Sequence, residues 1–180
     1  MKFIKILLIF FVFNSCKEND AKEDVKDIEI EVFRFDKEFS LLDSSNLEST
    51  LIDWDQKLDD FHMFYFDKYL PIKIKNNTQY KQDLLLFIMN DDVVSFNSEV
   101  SNRFSNFNNS TLPKLEEFFG RMHYYLPNIP IPTNIVTLNS FQRYSNAVLG
   151  DTIIIGLDMY LGEENKFYNS YQYLNFMKQE

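Results

Sequence analysis

Residues 127–132, PNIPIP, divide the chain. On the N-terminal side, from about residue 46, apolar side chains recur at every third or fourth position, the spacing of a single helix face. On the C-terminal side come short apolar runs at 134–139, 146–149 and 152–157, too short for ordinary helices and separated by turn-forming residues. A chain written this way has to pack helices against a sheet, most of whose strands lie in its last third.

One further strand is expected near the start. In IEIEVFRFD, residues 28–36, Ile28, Ile30 and Val32 alternate with Glu29 and Glu31, the period of a half-buried strand. Phe33 and Phe35, on the other parity, predict that its far end is covered on both faces. Residues 46–70 read as helical, capped by Ser45 or Asn46, with Leu47, Leu51, Trp54, Leu58 and Phe61 on one stripe. Thr78 is placed to cap a helix over Gln79–Met89. Residues 92–107 carry Val93, Phe96, Val100, Phe104 and Phe107 at helical spacing. Ser110 or Thr111 caps a further helix with Leu112, Leu115, Phe118, Phe119, Met122 and Tyr125 on its stripe, and Pro113 falls in the first turn, where proline is tolerated. Gly150-Asp151 between two apolar runs is a hairpin signal, and another helix is expected to begin near Phe167. The expected fold class is α+β: several amphipathic helices packed on a small antiparallel sheet with a C-terminal β-hairpin.

The 180 residues suffice for one domain. With 19 Phe and 10 Tyr, the core should be dominated by rings. A net charge of −9 supplies no basic field for a phosphate backbone, so nucleic acid is not an expected partner. The single cysteine, Cys16, permits no disulfide within the chain, and two histidines, His62 and His123, leave too few ligands for a zinc site. Neither histidine has a second one four residues away, so the HExxH geometry is absent. Both are expected as capping or surface residues; a last-turn position suits His123 through the helix dipole.

Asp91-Asp92 and Glu116-Glu117 are sequence neighbours, which do not share a helix face, and are expected as caps and solvated charges. There is no GxSxG elbow and no glycine-rich phosphate loop. In IIIGLDMYLGEENKFY, residues 153–168, the carboxylates of Asp158, Glu163 and Glu164 could offer oxygen to Ca²⁺, but the Asp/Asn ladder of a calcium loop is missing. The three are expected to be solvated, with Gly156 and Gly162 giving backbone freedom where strand becomes loop. No catalytic residue, metal ligand or cofactor is expected.

The chain opens MKFIKILLIFFVFNSCKENDAKED. Lys2 and Lys5 precede an apolar run over 6–13, too short to span a hydrocarbon core of about 30 Å, and suited to a secretory signal. Phe13-Asn14-Ser15-Cys16 is similar to a bacterial lipobox, with Phe13 where leucine is usual. Residues 1–15 are therefore expected as a signal peptide, Cys16 as the lipid attachment residue, 16–27 as a charged flexible tether, and 28–180 as a single α+β domain.

Four stretches, all quoted from this chain, carry a family resemblance: IEIEVFRFDKEF behind the charged tether, FHMFYFDKYLPIKI, FFGRMHYYLPNIPIPTNIVTLNS and DTIIIGLDMYLGEENKFY. Together they resemble the gliding motility lipoprotein GldB family across essentially all of residues 1–180, with His62 where the family has proline and Leu126 where it has phenylalanine. The resemblance implies a lipid-anchored, non-enzymatic protein of the bacterial cell envelope, expected at the outer membrane. It would support gliding motility or the associated secretion machinery through contacts with other envelope proteins. Family members continue well past residue 180, so the resemblance also implies that the 28–180 domain is incomplete at its C-terminus. The family is distantly similar to predicted zinc-dependent proteases, which leaves a second reading: the N-terminal half of a protease-like scaffold whose HExxH helix lies outside this sequence.

Overall fold

The computed structural model describes residues 27–59, 61–74 and 77–168. The elements run β1 (Glu31–Arg34), α1 (Phe35–Ser40), α2 (Leu47–Leu58), α3 (Phe61–Tyr69), α4 (Tyr80–Ile88), α5 (Asp91–Arg103), α6 (Phe107–Ser110), α7 (Leu112–Tyr125), β2 (Asn134–Leu138), β3 (Asn146–Leu149) and β4 (Thr152–Gly156), followed by 3-10 turns at Leu157–Tyr160 and Lys166–Tyr168. The α+β class and the β3–β4 hairpin are as the sequence predicts. Pairing in the sheet is not: the order is β1-β2-β4-β3, with β1 parallel to β2 and β2 parallel to β4, so only β3 is antiparallel to its neighbour. The reason is the connection. The whole helical run lies between β1 and β2, and a crossover of that length brings the second strand back in the direction of the first.

Strand register sorts the core into two sides. Val32, Ile135 and Ile153 are laddered partners, as are Phe33, Val136 and Ile154 one residue on. Alternation sends these two rows to opposite faces. The first row meets α7 through Phe119, Leu115 and Met122. The second meets α2, α3 and α4 through Trp54, Tyr65, Phe66 and Leu84. Helices therefore cover both faces, which accounts for the unbroken Ile153-Ile154-Ile155 run: a strand buried on both sides has no polar parity to show.

Helix boundaries differ from the sequence reading in informative places. The expected helix over 46–70 is broken at Asp59, whose φ is 51°. An unbroken helix of that span would run ~36 Å, well past the sheet. The break instead folds α3 back, so that Tyr65, Phe66 and the Phe61 ring close on the side α2 presents. Phe35 sits at the centre, its ring 4.6 Å from Trp54, 4.8 Å from Tyr65 and 5.5 Å from Phe61 between centroids. Phe35 is buried as expected, but it opens α1 rather than extending β1, which ends at Arg34. The expected helix over 92–107 stops at Arg103 and is capped by Asn90, whose side chain accepts from the amides of Asp92 (3.0 Å) and Val93 (3.4 Å). Near α4 the N-cap position is held by Gln79, not Thr78. The expected helix from Phe167 is a 3-10 turn as far as Tyr168; its remainder, like Cys16 and the signal segment, lies outside the described residues.

Candidate functional site

The carboxyl ends of β1, β2 and β4 point the same way because the three strands are parallel, and their exits carry buried polar groups. β1 leads into Asp36, β2 into Asn139 and Ser140, and β4 into Asp158; each of these residues is at most 2% exposed. In open parallel sheets this edge is where sites form.

At β1, Arg34 grips Asp36 through both nitrogens of its fork, Nε to Oδ1 at 2.9 Å and Nη2 to Oδ2 at 2.7 Å. Its third donor, Nη1, reaches the Phe104 carbonyl at 3.0 Å, and the guanidinium lies over the Phe107 ring at 5.2 Å. Asp36 in turn accepts from the Thr137 hydroxyl on β2. At β2, the Tyr65 hydroxyl donates to the Asn139 carbonyl at 2.8 Å, and Asn139 Nδ2 donates to Asn97 Oδ1 at 2.7 Å.

Asp158 is the centre. One carboxylate oxygen accepts from the Ser140 amide at 2.6 Å; the other accepts from the Gln142 amide at 2.6 Å and the Ser140 hydroxyl at 3.0 Å. Its own carbonyl accepts from Tyr168 Oη at 2.8 Å, and that oxygen accepts from the Leu161 amide at 2.9 Å. The segment it clamps is strained: Phe141 and Gln142 have φ of 51° and 63°, a region that costs non-glycine residues roughly 1–2 kcal/mol each. Burial pushes the Asp158 carboxyl up to about 6, and the donors from Gln142 and Ser140 pull against it. The expectation that Asp158 is solvated is therefore wrong. Three convergent donors supply what water would have supplied, and the sequence around Asp158 holds no sign of them because they come from residues 140–142. Glu163 and Glu164 are exposed, as expected.

The expected freedom at Gly156 is also corrected. Its φ is −79°, ordinary for any residue. A Cβ there would meet the Tyr144 carbonyl at 2.2 Å, so glycine is required by close approach of the β2–β3 loop. Gly162, with φ of 93°, does use the conformational freedom.

Ser140 and Asp158 are wholly buried, and their hydrogen bonds fix the backbone of residues 140–142. Among the described residues no group of three or more His, Cys, Asp or Glu is placed to hold a metal ion.

The sequence model of a family described as gliding motility protein GldB matches residues 18–180, nearly the whole chain. The chain belongs to the GldB family. No curated protein and no solved structure matches it.

The remaining candidates of this GldB family member are dispersed. His62 is not the surface residue expected: it is buried beside Trp54 and Phe66, with Nε2 3.5 Å from Asp55 Oδ1. His123 stands in the last turn of α7, as expected, with Nδ1 buried and without a hydrogen-bond partner. The two helices lie on opposite faces of the sheet, so the histidines share no site. Asp91 and Asp92 are in the first turn of α5 and exposed. Glu117 pairs with Arg121 at 2.7 Å, whereas Glu116 accepts from the Ile30 amide at 3.2 Å and ties the start of β1 to α7.

Two open clefts lie at the other, amino end of the strands. One, of about 590 Å³, is lined by Phe33, Lys57, Asp59, Val136, Leu149 and Ile154. The other, of about 520 Å³, lies between Asp27–Glu29 and the proline segment, with His123 in its wall.

Proposed function

We propose that this GldB family member is a lipid-anchored protein of the bacterial outer membrane, held by Cys16, that supports gliding motility or its associated secretion machinery through protein–protein contacts and without catalysis. One observation carries the reading: the family match begins at residue 18, two residues after the only cysteine. The match thus covers both the charged stretch and the folded domain that Cys16 would anchor. Residues 1–15 act as the signal peptide, 16–27 as the tether and 28–180 as the domain. The closed polar lock around Asp158 favours a scaffold role, since its hydroxyl and carboxylate are spent on the β2–β3 loop.

Treatment with globomycin, which blocks lipoprotein signal peptidase, should leave a precursor longer by the signal segment, and Cys16→Ala should release the protein from membranes. A Cys16→Ala protein that fractionates with its parent contradicts the anchor.

A further inference from the structure

We infer that the end of α7 and the proline segment form a second, direct contact with the lipid surface, a docking face that orients the domain against the membrane. The inference rests on the Cys16 anchor proposed above.

The tether enters the domain at Asp27, and Asp27, Ile28 and Glu29 form one wall of the 520 Å³ cleft whose other wall is His123, Pro127 and Ile129. Asp27 lies eleven positions after Cys16, so the anchor can never be farther than about 40 Å from this cleft. The side chains beside the cleft are apolar and exposed: Tyr124 45%, Tyr125 64%, Leu126 49% and Ile129 45%. They run together from the last turn of α7 into the proline segment, and the two tyrosine rings stand edge to face with centroids 5.0 Å apart. Tyrosine belongs at a membrane interface, with an apolar ring for the acyl boundary and a hydroxyl for the headgroups.

Electrostatics favours an uncharged surface. The segment 17–27 carries Glu18, Asp20, Glu23, Asp24 and Asp27 against Lys17, Lys22 and Lys26, and Glu29 stands exposed in the cleft wall. Contact thus comes from apolar burial, and it should weaken rather than strengthen as anionic lipid is added.

The test uses the full lipidated chain in phosphatidylcholine–phosphatidylethanolamine vesicles. Lipidation converts the Cys16 thiol to a thioether, so Tyr125→Cys, Ile129→Cys or Leu86→Cys each introduces the one free thiol. Leu86 is the reference: it is exposed, and its neighbour Phe87 packs on Phe141 at the carboxyl end of β2, away from the tether. With an environment-sensitive fluorophore on each and a shallow nitroxide lipid as quencher, positions 125 and 129 should be quenched several-fold more than 86. Equal, weak quenching at all three on vesicles that carry the protein overturns the docking face while leaving the anchor standing. Protein that fails to float with the vesicles overturns both. Labels at 125 and 129 that are shielded only in native envelopes, and not on pure lipid, mean that a protein covers this face, and the lipid assignment is then wrong.

Discussion

Asp158 faces donors only. At neutral pH its charge is matched by two amides and a hydroxyl, yet burial still raises its pKa to about 6 from an ordinary value of 3.8. The fold thus binds this proton more tightly than the unfolded chain does. The group favours the fold most below about pH 4, and that advantage is lost as pH rises through about 6. Across this window the contribution is about 3 kcal/mol at most. Asp158→Asn should flatten the difference, because an amide does not titrate, and should cost roughly 1–3 kcal/mol at pH 7, because its NH₂ must oppose one of the donors. Urea midpoints of both proteins between pH 4 and 7 check this; parallel profiles would show that Asp158 is not the titrating group. The glycines give a paired prediction. Gly156→Ala forces the Tyr144 carbonyl away and should cost ~3 kcal/mol or more, whereas Gly150→Ala, with φ of 62° and open space around it, should cost about 1 kcal/mol. Equal midpoint shifts for the two would contradict the close-approach explanation.

Among the elements, β2 and β4 are paired on both edges and covered on both faces, while β3 has one partner and an exposed outer side. Ile154→Ala should therefore cost about 2–5 kcal/mol and Val148→Ala about 0.5 kcal/mol or less. Amide exchange should find β2 and β4 opening only with the whole fold and β3 fraying earlier; slow exchange throughout β3 would mean that its edge is covered. The helices and the hairpin were legible in the sequence because each is written locally: a stripe at three and four, or Gly-Asp between apolar runs. Strand direction was not, because parallel pairing between residues near 32 and 135 depends on how the long helical crossover between Arg34 and Asn134 returns. For the same reason Asp158 looked solvated: the Ser140 and Gln142 amides that satisfy it are backbone groups, which every residue carries and no side-chain pattern reveals. Trp54 was legible as core from its helical stripe; the burial of His62 one helix later was not, since it follows from the break at Asp59.

At the scale of the whole molecule, the sheet separates a locked end from an open one. The carboxyl ends of the parallel strands are closed by Asp36, Asn139, Ser140 and Asp158. The amino ends carry the clefts, the start of the described chain at Asp27 and the exposed rings of Tyr124 and Tyr125. A chain held at Cys16 would present its amino end to the membrane and leave the opposite end, with exposed Leu86 and Met89 on α4 and its flank, toward partners in the envelope. Anchoring at Cys16 and motility are tested together by complementation. In a strain deleted for this gene, the wild-type chain should restore colony spreading, and Cys16→Ala, expressed at the same level, should not. Unchanged spreading of the deletion strain, or full restoration by Cys16→Ala, would contradict it.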